Sequence, residues 1–365
     1  MDERALTEKL IAYDTSQAEG VRLAAGFVKG WLEARDIEAR QIDVRGLPVT
    51  IAEVGPGDGT TILLHGHLDV VPGRPGQFEP RADGKRLLGR GAYDMKGALA
   101  AMLLALHDVR DTTPVRIRLG VVPDEESEEE AERGSDQLVR EGFAGDFVIT
   151  GEPTDLHIGV QAKGVVAMRL EVAGRAAHGA TPWLGENAIL KALEVFREIE
   201  SLPFARQSSE LFDRPSINLG RILGGDALNK VPDTCVIDVD IRYLPEQDPS
   251  EILGEVRELP GAEVISTFSR PPASVDRDSV FVRTLSEAVA PHLGGEVLSV
   301  GRDGASDAVS FLRAGIPAVE FGPVGGGHHG PEEWVSIPSL AHYRQALTTF
   351  IAGLPERLPE GGEPS

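Results

Sequence analysis

Cysteine is almost absent: Cys235 is the only one in 365 residues. A single thiol excludes an internal disulfide and a cysteine cluster as a metal holder. A reducing cytoplasm is the expected home. Cations are also in short supply, with 36 Lys and Arg against 58 Asp and Glu and a formal net charge of -22. Phosphate binding needs clustered Lys and Arg, so no nucleic-acid partner is expected. An anionic membrane surface is excluded on the same ground. Solubility is the plainest use of such a charge. No apolar run reaches the ~18 residues of a spanning helix. Met1 to Tyr13 lacks the apolar stretch of a secretory signal. There is no internal repeat, and the only biased segment is a short acidic run after Asp124. Against these absences, hydrophobic residues make up 41% of the chain, which fits a globular protein. The length exceeds the ~250–300 residues at which single cores stop growing, so a second domain is expected.

Periodicity divides the chain into three blocks. Residues 4–13 and 17–35 carry apolar positions at helical spacing. Val49 to Val54, Thr60 to His65, Val115 to Val122 and Asp146 to Thr150 read as strands, and Met95 to Leu106 as an apolar helix. Strands alternating with helices predict an α/β fold, a mainly parallel sheet covered by helices on both faces. The pattern changes near residue 163. Strands at Gly164 to Val172, Ser216 to Ile222, Thr234 to Tyr243 and Ala262 to Phe268 surround helices at Asn187 to Glu200 and Pro249 to Leu259. That order, β-α-β-β-α-β, predicts a small two-layer α+β domain. The first pattern then resumes with helices at Phe281 to Leu293, Ala308 to Ala314 and Ser339 to Ile351. Strands are expected at Glu296 to Val300 and Pro317 to Phe321. The expected layout is therefore residues 1–162 and 273–354 as one domain, 163–272 inserted into it, and a frayed tail over 355–365.

Chemistry-bearing residues gather where predicted strands end. In His65-Gly66-His67-Leu68-Asp69, positions two apart share a face, so His67 can offer one ring nitrogen to a metal while Asp69 holds the other. A buried His-Asp pair without metal would look the same. Asp94 lies between the glycine-rich loop Gly89-Arg90-Gly91 and a helix start, where a capping carboxylate is the simpler use. A carboxylate there can also bridge two ions. Asp124-Glu125-Glu126 and Gly151-Glu152-Pro153 follow strands and read either as solvated loops or as cation sites. Glu128, Glu129, Glu130 and Glu132 fit the first turn of an acidic helix. His328 and His329 stand in a late glycine loop. Ends of parallel strands form the ligand crevice of open α/β sheets, and His, Asp, Glu, Glu, His is a donor set suited to Zn²⁺. Ser306-Asp307 has no compelling histidine partner in the sequence, so no serine triad is expected.

These motifs, in this order and spacing over nearly the whole chain, resemble the acetylornithine deacetylase / succinyl-diaminopimelate desuccinylase family, with its aminoacylase and glutamate carboxypeptidase relatives. The resemblance implies two divalent ions per chain, zinc first, with cobalt or manganese as alternatives. His67, Asp94 and Glu152 would hold one and Asp94, Glu126 and His329 the other, with Glu125 as general base and acid and Asp69 orienting His67. It implies a cis peptide after Asp94. It makes the inserted block a lid and homodimerisation domain, with His178 reaching the neighbouring subunit's site to stabilise an oxyanion. It puts Asn218 and Asn229 near the ligand, Arg242 on a substrate carboxylate, and Gly304 and Ser306 in a pocket-lining loop. His328 and His329 each have a glutamate four residues on, Glu332 and Glu333; the resemblance takes the pair His329 and Glu333, and His328 is expected to be a bystander. The implied activity is hydrolysis of the amide of an N-acyl amino acid. Thr154 and the short chain lean towards the succinyl-diaminopimelate or acetylornithine type. A dipeptidase or carboxypeptidase is the alternative, and a non-catalytic metal-dependent binding protein the remote one.

Overall fold

The computed structural model describes residues 1–127, 132–304 and 306–357. Glu128, Glu129, Glu130, Ala305 and the end of the expected tail, 358–365, lie outside the described residues. In chain order the main elements are α1 (Glu3–Ile11), α2 (Ala18–Glu33), β1 (Ala39–Val44), β2 (Leu47–Val54), β3 (Thr61–His67), α3 (Gly97–Val109), β4 (Arg116–Val122), α4 (Gly134–Arg140), β5 (Phe147–Thr150) and β6 (Ile158–Ala162). Then come β7 (Gly164–Ala173), α5 (Ala188–Ile199), β8 (Ser216–Gly224), β9 (Thr234–Tyr243), α6 (Pro249–Arg257) and β10 (Ala262–Arg270). The last group is α7 (Val280–Val289), α8 (Ala308–Arg313), β11 (Ala318–Glu320) and α9 (Ile337–Gly353). Among the described residues no helix is long and apolar enough to cross a membrane.

The chain forms two compact units. One comprises residues 1–160, 275–300 and 307–365, and the other 161–274 and 301–306. The first is built on a sheet ordered β1-β2-β4-β3-β5-β11-β6. Its centre is parallel: β4 with β3, β3 with β5, and β5 with β11. The flanks are antiparallel, β1 and β2 as a hairpin against β4 and β6 against β11. Burial explains the contrast. All seven residues of β3 are buried, the signature of a strand covered on both faces. Leu63, Val122 and Val148 pack with Leu138 of α4 and Phe311 of α8 on one side. On the other lies α3, whose Ala- and Leu-rich sequence is buried nearly all round.

The second unit has an antiparallel sheet ordered β8-β9-β7-β10. Val166, Met168, Leu170, Val172, Ile237, Val239 and Ile241 point to one face and pack with α5 and α6. The alternate residues form the open face. Asn187 starts α5 by accepting the N–H of Ile189 at 3.0 Å.

Several expected elements shift. Of the acidic turn expected over Glu128 to Glu132, the described Glu132 stands in irregular chain before α4, which starts at Gly134. The strand expected at Glu296 to Val300 runs instead over Ser299–Arg302, because a short β-branched run does not fix its own register. A further small sheet, from Arg81–Asp83, Arg86–Leu88, Gly325–Gly326 and Trp334–Ser336, was not legible. Its strands are too short for a periodic signal.

Candidate metal centre

Strands β3, β4 and β5 are parallel neighbours, so their C-terminal ends deliver side chains to one place. His67 is the last residue of β3, Glu125 and Glu126 follow β4, and Glu152 follows β5. Asp94 sits in a tight irregular turn, Ala92–Lys96, that leads into α3, and the Asp94-Met95 peptide is cis. Gly66 lets this turn come close. A Cβ there would lie 2.5 Å from the Met95 Cε, so a side chain at residue 66 would require the end of Met95 to move.

Two groups of donors result, His67-Asp94-Glu152 and Asp94-Glu126-His329, each with ligand atoms within 4.8 Å of one another. Asp94 belongs to both. The His67 Nε2 lies 3.2 Å from Asp94 Oδ1 and 3.5 Å from Glu152 Oε1. The His329 Nε2 lies 3.4 Å from Asp94 Oδ2 and 2.9 Å from Glu126 Oε1. One carboxylate thus turns one oxygen to each histidine, which is the geometry of a bridge and not of a helix cap. His328 is in neither group, and its ring stands edge-on to Tyr93 at 5.9 Å and to His329 at 5.4 Å.

The site has an excess of buried negative charge. Burial, then the Asp94 carboxylate, pushes Glu152 well above the usual carboxyl range. Burial, then Asp307, does the same to Glu125. Burial works to lower His67, but Asp69, Asp94 and Glu152 outweigh it and raise it. Hydrogen bonds to Asp94 and Glu126 lift His329 to about 10. Asp94 is driven the other way: the two histidines overcome its burial and hold it far below the usual range. Such a cluster attracts positive charge, and protons and divalent cations compete for it. Nitrogen and carboxylate donors around a shared carboxylate fit two such cations.

Asp69 departs from expectation. The His67 Nδ1 meets the backbone oxygen of Asp69 at 2.9 Å, with the carboxylate farther away at 3.5 Å. That carboxylate instead accepts the N–H of Glu125 at 3.1 Å and of Glu126 at 2.8 Å. Asp69 therefore orients His67 through its main chain and holds the loop after β4 with its side chain.

Glu333 is the residue the sequence underplays. Its buried carboxylate accepts from the backbone of Gly91 (3.0 Å), Tyr93 (3.0 Å) and Asp94 (3.1 Å) and from Arg90 (2.8 Å). Arg90 also donates to the His329 carbonyl at 3.3 Å. One carboxylate thus fixes the approach of both Asp94 and His329. The only sequence signal was its four-residue spacing from His329. Thr154 has a similar structural use. Its hydroxyl accepts the Gly322 N–H at 2.9 Å, so it pins the loop of Glu152.

The absence of a histidine near Asp307 also needs correction. The Asp307 carboxylate lies 3.9 Å from His65 Nε2, and the Ser135 hydroxyl sits between them, 2.9 Å from the ring and donating to Asp307. This is still no nucleophilic triad, because Ser135 is fully buried and its proton is committed to the aspartate.

The remaining expected site residues lie in the second unit. His178 is exposed on a loop that pairs with Lys230. The Gly179 N–H donates to the Asn229 carbonyl at 2.7 Å, so His178 and Asn229 are neighbours. A Cβ on Gly179 would come within 2.9 Å of the Asn229 backbone. Asn218 and Arg242 both occupy the open face of the sheet, where Asn218 pairs with Asp240 and Ser216 with Arg242. Arg242 donates to Asp240 at 2.9 Å, a strand-surface ion pair. Gly304 is exposed and Ser306 buried.

Known proteins are similar to this chain in sequence and in fold. The model of peptidase family M20/M25/M40 matches residues 63–353, a span that holds every donor above. The succinyl-diaminopimelate desuccinylase of Erythrobacter litoralis is 30% identical over 306 residues, covering 78% of this chain and 79% of the relative. The LysW-lysine/LysW-ornithine hydrolase of Sulfurisphaera tokodaii is 28% identical over 310 residues, covering 83% and 82%. The fold matches an M20 family metallo-carboxypeptidase from Sulfolobus solfataricus with a TM-score of 0.80 at 20% identity, over 98% of this chain and 100% of that one. With the family match running from the first donor strand to the last helix, the chain belongs to peptidase family M20/M25/M40 and is a hydrolytic enzyme of that family.

Proposed function

We propose that this enzyme hydrolyses the amide bond of an N-acyl amino acid, with N-succinyl-diaminopimelate as the first substrate to test and N-acetylornithine the second. The observation that carries the reading is the pair of donor groups sharing Asp94, with Glu125 beside Glu126 on the same loop. His67, Asp94 and Glu152 would hold one divalent ion, and Asp94, Glu126 and His329 the other, zinc before cobalt or manganese. When bound, two such ions polarise a carbonyl and make a water acidic near neutral pH. Glu125 accepts the proton of the attacking water, and its raised pKa suits that task. As the C–N bond breaks it returns the proton to the leaving amine nitrogen. The His178 Nδ1 accepts the Ala180 N–H at 3.1 Å, which leaves the ring proton on Nε2 as a donor for the oxyanion. Arg242 would take the substrate carboxylate, Asn218 and Asn229 would stand near the ligand, and Gly304 and Ser306 would line the pocket. We assign residues 163–272 as the lid and dimerisation domain and 1–162 with 273–354 as the catalytic domain. We place the protein in the cytoplasm on the support of its one cysteine, which is buried and suits a reducing compartment.

A metallo-dipeptidase or carboxypeptidase is the second reading, favoured by the fold match to a metallo-carboxypeptidase. The same groups would act on a peptide amide. A panel of N-succinyl, N-acetyl and dipeptide amides, assayed after zinc addition, separates the two. Cleavage of dipeptides alone replaces the first reading, and cleavage of none overturns both.

A homodimer through the second unit is supported by its surface. Strand β8 is a sheet edge, and Ile222 and Leu223 on it, with Leu190 and Leu193 on α5, are exposed apolar residues. In such a dimer His178 would act at the partner's site. Glu125→Gln chains and His178→Ala chains, each nearly inactive alone, are then mixed and allowed to exchange. Random two-fold exchange gives half mixed dimers with one intact site in two, so activity returns to about a quarter of wild type. Confirmed exchange with no recovery rules out action across the interface.

A further inference from the structure

The segment that carries Glu125 and Glu126 has no regular secondary structure from residue 124 to 127. A general base held on such a segment needs its backbone fixed from outside. The N–H side is fixed by Asp69, whose two oxygens accept from Glu125 and Glu126. The carbonyl side is fixed by one guanidinium. Arg133 donates through NH1 to the Glu125 carbonyl at 2.6 Å and through NH2 to the Ser127 carbonyl at 3.0 Å. The same NH1 lies 3.7 Å from the Glu125 carboxylate. Arg133 is itself buried, and its orientation is set by Asp307 at 3.1 Å. Asp307 in turn accepts from Ser135, which is hydrogen-bonded to His65 on β3. A continuous polar chain therefore runs from the strand that carries His67, through α4 and the start of α8, to the loop of the general base.

From this geometry we infer that Arg133 is a positioning residue for Glu125: its fork, held by Asp307, fixes where the base carboxylate stands and leaves the metal donors to other supports. Glu126 and His329 make their own contacts, and Glu333 holds the Asp94 turn. The guanidinium of Arg133 bonds to Glu125, Ser127 and Asp307, none of which is a donor in either group. A lysine has one ammonium and cannot span the Glu125 and Ser127 carbonyls and Asp307 in one plane.

The inference rests on the amide-hydrolase reading, and three measurements on the metal-loaded, full-length enzyme test it. Arg133→Met should keep the wild-type metal content and a KM within about threefold. Its kcat should fall by about 10²-fold, the size of loss that a misplacement of about 1 Å produces. Arg133→Lys should lose less, about tenfold in kcat, since it keeps the charge and one bond. In a Glu125→Gln background, where no base remains to be placed, either change should alter kcat by less than about threefold. An equal loss in both backgrounds, a loss of metal, or a rise in KM alone overturns the inference. If Arg133→Met does not fold, the cycle is run with Arg133→Lys. The third measurement needs no substrate. Amide hydrogen exchange over residues 124–127 should speed up in either Arg133 variant while exchange in α3 stays unchanged. Unchanged exchange over 124–127 overturns the inference. If wild type cleaves nothing in the panel, the function reading fails, and the exchange measurement alone decides whether Arg133 holds the segment.

Discussion

Glu125→Gln will keep its metal ions and lose ~10²–10⁴-fold or more in kcat, the span expected when a positioned acid/base group is removed. The ions stay because Glu125 is in neither donor group, and Gln preserves the volume and the backbone contacts to Asp69 and Arg133. The rate falls because an amide cannot carry a proton from water to the leaving nitrogen. The large size follows from the site's chemistry. Amine expulsion requires protonation, and burial together with Asp307 raises Glu125 above an ordinary carboxyl, the direction that favours carrying a proton to the leaving nitrogen. Metal content by mass spectrometry and kcat on the cleaved member of the amide panel check this. Turnover within about threefold of wild type removes Glu125 from the mechanism, and loss of metal makes it a ligand.

The central strands were legible because β3 and β5 are buried throughout and carry the apolar runs Ile62 to Leu64 and Phe147 to Ile149, while β4 is interrupted by Arg116 and Arg118 but ends in the buried Val121 and Val122. At or just beyond the ends of these strands stand the candidate donors His67, Glu126 and Glu152. Strand β1 was missed for the opposite reason. Ala39–Val44 is an edge strand with Arg40, Gln41 and Asp43 outward, so its apolar signal is weak. The antiparallel pairing of β2 with β4 was also illegible, since periodicity reports burial and not direction.

The donors and their supports differ in the same way. A histidine or acid at a strand end can be named from local sequence. What its carboxylate does with its second lone pair cannot, and Asp69 shows why: its partners, Glu125 and Glu126, stand 56 and 57 residues away. The Arg133–Asp307 pair spans 174 residues and leaves no pattern in the sequence. Arg133 reads locally as one more charge in an acidic run. His178 was legible as a loop histidine, whereas its proximity to Asn229 follows only from the pairing of two loops.

Asp94→Ala will lose both ions and all measurable activity, a larger effect than removal of any donor that serves one group alone. Asp94 places one oxygen 3.2 Å from His67 and the other 3.4 Å from His329. Its removal leaves each remaining group with one imidazole and one carboxylate. Two protein ligands are fewer than the three that catalytic zinc sites use. Glu126→Ala and Glu152→Ala each strip a single group, so each should keep one ion. Glu333→Gln changes no donor but weakens the grip on the backbone of Gly91, Tyr93 and Asp94. Loss of such an outer support costs about 10–100-fold in metal affinity, so that variant should load fully at high zinc and release ions on dialysis. Ion counting by native mass spectrometry after equal dialysis should therefore rank wild type first, at two. The two single-group variants should follow at one, and Asp94→Ala should be at zero. Saturated wild type with a single ion contradicts the shared centre, and an Asp94→Ala chain that retains one ion shows that the two groups do not depend on a common carboxylate.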